Sequence, residues 1–163
     1  MSADSARSIE QFRYLVLAAQ REGNRRLAAT LAPLGLTPSQ SEVLRVLADH
    51  GPLSLTALGE LLVCESGNNP SRLAGRLVDA GLVRRAAVSG DARQVQLSLT
   101  ASGRERAAAA RRADDDLHEY LRARLRGADV SAVVAALAAV VHDTPAGQAL
   151  TKRNPEPQGT QPS

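Results

Sequence analysis

Residues 71–100 read SRLAGRLVDAGLVRRAAVSGDARQVQLSLT. Two periods meet in this stretch. Up to Ala80 the apolar positions Leu73, Leu77 and Ala80 recur at spacings of four and three, which marks a helix with one inward face. Gly81 ends that pattern, as a glycine just past a helix commonly does. Beyond it the period falls to two. Leu82 to Val88 fits a strand, Ser89 to Arg93 a loop, and Gln94 to Leu99 alternates polar and apolar without a fault. A short helix that runs directly into a hairpin, one face of which packs on helices, decides the fold.

Upstream, Glu65-Ser66-Gly67-Asn68-Asn69-Pro70 has the composition of a turn, an N-cap and a first-turn proline, so the short helix starts near Asn69. Before it, a helix beginning near Ser54 or Thr56 carries Leu55, Leu58, Leu61 and Leu62. Two short helices joined by a polar turn form a helix-turn-helix. The preceding helix opens at Thr37-Pro38-Ser39-Gln40, a capping box with proline at the first helical position, and closes at Gly51-Pro52. Further upstream Ile9, Phe12, Val16, Ala19, Leu27 and Leu31 give a long helix from about Ser8, stopped by Pro33 and Gly35. Downstream, Thr100 caps a fifth helix to about Arg126. A last helix from about Val130 to His142 is apolar over most of its circumference and is expected to be buried.

The expected fold is mainly α: a winged helix-turn-helix with a two-stranded wing and long terminal dimerisation helices. The divisions are residues 8–36 (N-terminal dimerisation helix), 37–100 (winged helix-turn-helix), 101–143 (C-terminal dimerisation helices) and 144–163 (a polar, disordered tail). The motive for a homodimer is apolar surface. Ile9, Phe12, Val16, Val133, Leu137 and Val140 have too few partners in one chain of 163 residues.

Composition narrows the function. Aromatics are 2% of the chain, which disfavours base-stacking platforms for single strands but not duplex binding. The net charge is +3, carried almost wholly by arginine, with Lys152 the single lysine. A GC-rich genome alone favours arginine and alanine codons, so only the placement of the arginines argues for DNA. Asn68, Asn69, Ser71, Arg72 and, one turn on, Arg76 occupy the N-terminal part of the short helix, the part that meets base edges in a major groove. Amides suit adenine and arginines guanine. Arg84 and Arg85 precede the wing loop, where Arg93 can enter a minor groove and Asp91 can hold it. The plainer reading of these positions is a solvated polar helix face and an ordinary hairpin turn.

Taken together, Ser71-Arg72-Leu73, Arg76-Leu77, Ala80 to Arg85, Asp91-x-Arg93, Leu97-Ser98-Leu99-Thr100 and Gly103 resemble the MarR (multiple-antibiotic-resistance regulator) family. The resemblance runs from about Ser8 to Val141. It implies a dimer with interlocked terminal helices and a winged helix on each arm. It further implies a repressor or activator of transcription whose DNA affinity often responds to a small molecule. Pro70 departs from the family pattern, which has a small or β-branched residue there, and removes one backbone donor. Glu65 departs from it too, placing negative charge beside the DNA face.

Other functions find little support in the residues. There is no phosphate loop, nucleophile elbow or paired catalytic carboxylates, so no enzyme, metal or cofactor is expected. His118 beside Asp114, Asp115 and Asp116 reads as a solvated acidic face. Cys64 has no second cysteine to resolve it and reads as an inert thiol. With no signal core or membrane span, a cytoplasmic protein is expected. An effector pocket is expected among Phe12, Leu15, Val16 and Leu117, between the first, second and fifth helices. Two alternatives stand beside DNA regulation: a winged-helix protein-interaction module without DNA binding, and a redox-responsive regulator acting through Cys64.

Overall fold

The chain order is α1 (Ala3–Leu31), a 3-10 turn (Ala32–Leu34), α2 (Pro38–His50), β1 (Leu53–Ser54), α3 (Leu55–Gly59), α4 (Pro70–Asp79), β2 (Val83–Val88), β3 (Asp91–Leu99), α5 (Ala101–Arg124), α6 (Val130–Val141) and α7 (Pro145–Arg153). These elements come from a computed structural model that describes residues 3–63, 70–88 and 91–154, with the backbone alone at 3, 88 and 91–94.

Local chemistry sets most boundaries. Thr37 caps α2 through a complete capping box: the Gln40 N–H donates to Thr37 Oγ1 (3.3 Å) and the Thr37 N–H to Gln40 Oε1 (2.9 Å). Ser54 accepts from the Ala57 N–H at 3.1 Å and Thr100 from the Gly103 N–H at 3.0 Å, capping α3 and α5. Gly81, at φ +70°, takes the left-handed conformation that turns α4 into β2.

Packing joins these pieces. Leu31, Val43, Leu44, Leu58, Leu77 and Ala110 are fully buried, so the end of α1 and helices α2 to α5 share one core. Burying a leucine stabilises by about 1.5–3 kcal/mol relative to leaving it exposed, so these side chains set the arrangement. The sheet has the order β1-β3-β2, all antiparallel, and lays Val83, Leu97 and Leu99 against that core. At the core's edge Asp114 is buried and accepts from Arg45 Nη1 at 2.7 Å. Burial pushes its carboxyl above the usual range, against the pull of Arg45.

Several expectations need correction. α1 begins at Ala3, well before Ser8. The third helix ends at Gly59, and Leu61 and Leu62 follow in tight turns closed by bonds to Leu58 O and Gly59 O. Leu53 and Ser54 form a third strand too short to show a period. The loop expected at 89–93 is shorter, because β3 begins at Asp91. Ala87 pairs with Val95 but Val88 with Asp91, so residues 92–94 are taken up as an irregularity in the strand. Asp114 is not solvated, although Asp115 and Asp116 are. The tail expected from residue 144 contains α7, capped by Thr144, which accepts from the Gly147 N–H at 3.1 Å.

α6 is the largest departure. None of its residues is buried within the chain. The residues of α1 from Asp4 to Arg21 are likewise all exposed. One feature of that helix is its own brace: Arg25 and Arg26 both donate to Glu22, and chiefly the Arg25 bond holds the Glu22 carboxyl down at about 2. Arg26 also lies over the Tyr120 ring at 3.8 Å, tying α1 to α5. Among the described residues no helix is long and apolar enough to cross a membrane.

Where the wing meets α5 the backbones come too close for a side chain. A Cβ on Gly103 would lie 1.9 Å from Leu82 O, which already accepts from the Thr100 N–H at 3.1 Å. Gly103→Ala should therefore lower stability by roughly 1–3 kcal/mol, read as an earlier urea midpoint with an unchanged m value. An unmoved midpoint would show that the junction yields freely.

Candidate nucleic-acid interface

The α4 helix has two faces. Leu73, Ala74 and Leu77 are buried against the core. Arg72, Arg76 and Asp79 are exposed on the other side. A ten-residue helix anchored along one stripe cannot rotate, so the face that carries its arginines keeps a fixed direction. Pro70 occupies its first position, where the missing N–H costs no helical bond. Ser71 is half-buried beside Arg72. Asn68, Asn69, Cys64 and Glu65 lie outside the described residues.

The wing stands next to this helix through Gly81. Side chains alternate across a strand, so the cross-strand register sorts its arginines. Arg84 pairs with Ser98 and Arg85 with Leu97, which puts the two arginines on opposite faces of the hairpin. Arg84 Nε donates to Ser98 Oγ at 3.0 Å. It overhangs a cleft of about 460 Å³ whose lining includes Arg104 and Arg111, neither of which stands out in the sequence. Arg104 donates to Leu99 O at 3.2 Å, and Arg111 to Asp49. Both arginines are spaced along α5 to meet the wing and α2, a juxtaposition that only the fold reveals. The backbone of Asp91 and Arg93 lies in β3, and their side chains fall outside the described residues.

The apolar residues expected to line a pocket are only partly together. Phe12, Leu15 and Val16 line a cleft of about 530 Å³ with Val133 and Leu137. Phe12, Val16 and Leu137 also line a second one of about 730 Å³ with Ile9, Val134 and Val140. The opposite wall is therefore α6, not α2 and α5, and Leu117 lines neither cleft. Among the described residues no three His, Cys, Asp or Glu side chains converge as a metal would need.

A helix-turn-helix followed by an antiparallel wing, flanked by long helices at both termini, defines the winged-helix class. The MarR family profile matches residues 34–94, from the turn before α2 into β3. No curated protein sequence matches the chain. Among solved structures, a cysteine-to-serine mutant of MarR from E. coli, complexed with operator DNA, is 26% identical. That match covers 82% of this chain and 96% of that one, with a TM-score of 0.71. The reduced form of MarR from E. coli is also 26% identical, with 78% and 94% covered and a TM-score of 0.64. A probable transcriptional regulator from Pseudomonas aeruginosa is 28% identical, with 75% and 93% covered and a TM-score of 0.60. The helix-turn-helix and wing thus match the MarR family over residues 34–94, and the chain has the winged-helix fold of these transcriptional regulators.

Proposed function

We propose that this regulator is a homodimer that binds duplex DNA sequence-specifically. In this reading α4 enters a major groove on each arm and Arg93 of each wing reaches the adjacent minor groove. The observation that carries it is the two-faced α4. Its inner stripe is locked into the core while Arg72 and Arg76 project from the opposite side, beside a wing that carries more arginine. Asn68, Asn69 and Ser71 complete the reading set, and Asp91 steadies Arg93. The likeness to a MarR structure complexed with operator DNA supports the same assignment.

The homodimer rests on the exposed apolar faces of α1 and α6, a surface that a lone soluble chain rarely leaves open. A cleft on that surface has the size and apolar lining to hold a small effector. The protein acts by binding and not by catalysis, in the cytoplasm.

Selection from a pool of random duplexes tests DNA binding and yields the preferred sequence together. A pool that returns no enriched sequence favours the interaction-module alternative. Titration of the selected duplex across a salt series then tests the wing. Arg93→Ala should weaken binding and flatten the salt dependence, by roughly one unit of slope for each phosphate that an arm no longer neutralises. Its thermal stability should hardly change, since the residue belongs to the outer part of the wing. Unchanged affinity and slope would mean that the wing does not touch DNA.

A further inference from the structure

The C-terminal helix α7 reaches back to the helix-turn-helix. Its last residue, Arg153, donates to the Glu42 carboxylate on α2 and to Leu61 O in the turn after α3. The same Glu42 oxygen accepts from the Val63 N–H at 2.8 Å. Glu42 and Arg153 side chains are 10% and 20% exposed, so this cluster is largely shielded from water. A charge-assisted bond there is stronger than at an open surface. Beside it Lys152 Nζ pairs with Glu60 Oε2 at 2.7 Å in the open.

Leu61 and Val63 belong to the last described residues before α4, and Glu42 meets Val63 from α2. The other end of α7 is just as closely held. Thr144 Oγ1 donates to Val141 O at 2.7 Å, and a Cβ on Gly147 would meet Val141 O at 2.0 Å. Little play therefore exists between α6 and α7. The succession is α6, a tight joint, α7, Arg153, and then residues 61–63 after α3.

We propose that Arg153 is a positioning residue for DNA recognition: it clamps the segment leading into α4 to α2 and to the C-terminal helices. This rests on the reading that α4 binds DNA. Arg153 touches no base or phosphate in this scheme. Its work is to hold the entry to α4 in one place, so that Arg72 and its neighbours meet base edges in register. Random DNA, held by mobile phosphate contacts, needs no such register.

The full chain is used for the test, with the duplex recovered by selection and a random duplex of equal length as probes. Wild-type binding to the selected duplex comes first; its absence would sink the DNA reading itself. Given that binding, Arg153→Ala, which removes the bonds to both Glu42 and Leu61 O, should lower affinity for the selected duplex about tenfold and for random duplex much less. The salt slope should stay as in the wild type. Amide exchange at Val63 should accelerate by a similar factor while the amides of α2 and α5 keep their protection. Arg153→Lys should restore part of the discrimination. Glu42→Gln, which keeps an acceptor for the Val63 N–H but removes the charge, should reproduce the loss, and the double variant should lose no more than either single one. If Arg153→Ala fails to fold, Arg153→Lys and Glu42→Gln carry the same comparison. Discrimination left unchanged while Val63 exchange rises would overturn the proposal, leaving the clamp a purely structural one. Equal losses on both duplexes with a shallower salt slope would also overturn it, by making Arg153 a phosphate contact.

Discussion

Leu137→Arg should turn a dimer into a monomer and with it remove most of the affinity for a two-half-site operator. Leu137 lines both apolar clefts between α1 and α6. It is 38% exposed in the single chain, and no residue of α6 is buried there. A charge at this position therefore costs the isolated fold little. In a dimer the same side chain is enclosed, and an unpaired guanidinium in an apolar contact is strongly unfavourable. Sedimentation should show the wild type at about twice the chain mass of 17.2 kDa and the variant at that mass. Binding should follow. Two linked arms turn the second contact into an intramolecular event, and losing that linkage lowers avidity by roughly 10²–10⁴-fold. The helical signal and the urea midpoint measured at high dilution should stay near those of the wild type. A wild type that sediments as a monomer would remove the paired-half-site reading. So would a monomeric variant that binds as tightly as before.

Signals that act over a few residues are legible in the sequence, and pairings between distant elements are not. The capping box at Thr37 and Gln40, the cap at Thr100 and the stop at Gly81 are legible because each acts over a few residues. Leu73 and Leu77, and Leu97 and Leu99, declare their inward faces by period alone. α6 is legible as a helix, but not in its burial. Its apolar circumference argues for enclosure, and nothing in one chain supplies it. α7 is hidden for the opposite reason. Its sequence, PAGQALTKR, is polar enough to read as tail, and its anchors are Glu60, Leu61 and Glu42. Those partners are 92 and 111 residues away, a pairing no local period encodes. The lining expected for the effector pocket differs for a similar reason. Phe12 and Val16 have the right character, but which helix faces them depends on how α5 and α6 fold back, and Leu117 stands on the wrong one. At the wing the alternation Arg84-Arg85 is visible, whereas the consequence drawn from register is not: the two arginines serve opposite faces.

The assignment of Arg72 to base readout carries the most consequence for the DNA reading. Arg72 is the third residue of α4, within the first turn, the part of a recognition helix nearest the base edges. Leu73 and Ala74 are buried next to it, which fixes the azimuth of the helix and leaves the Arg72 side chain outside. A guanidinium that meets guanine O6 and N7 together contributes about 1–3 kcal/mol of discrimination on each arm. With two arms the effect of Arg72→Ala on the selected duplex should be about 2–6 kcal/mol, a loss of roughly 30-fold to more than 10⁴-fold. Random duplex should lose far less, because a phosphate contact is nearly blind to sequence. Arg76, one turn further on, provides the comparison. If it reaches only the backbone, Arg76→Ala should lower both affinities by one common factor and reduce the salt slope. Measuring each variant on both duplexes separates the two roles. Should Arg72→Ala lower both affinities equally, Arg72 is a phosphate clamp, and the specificity passes to Asn68, Asn69 and Ser71.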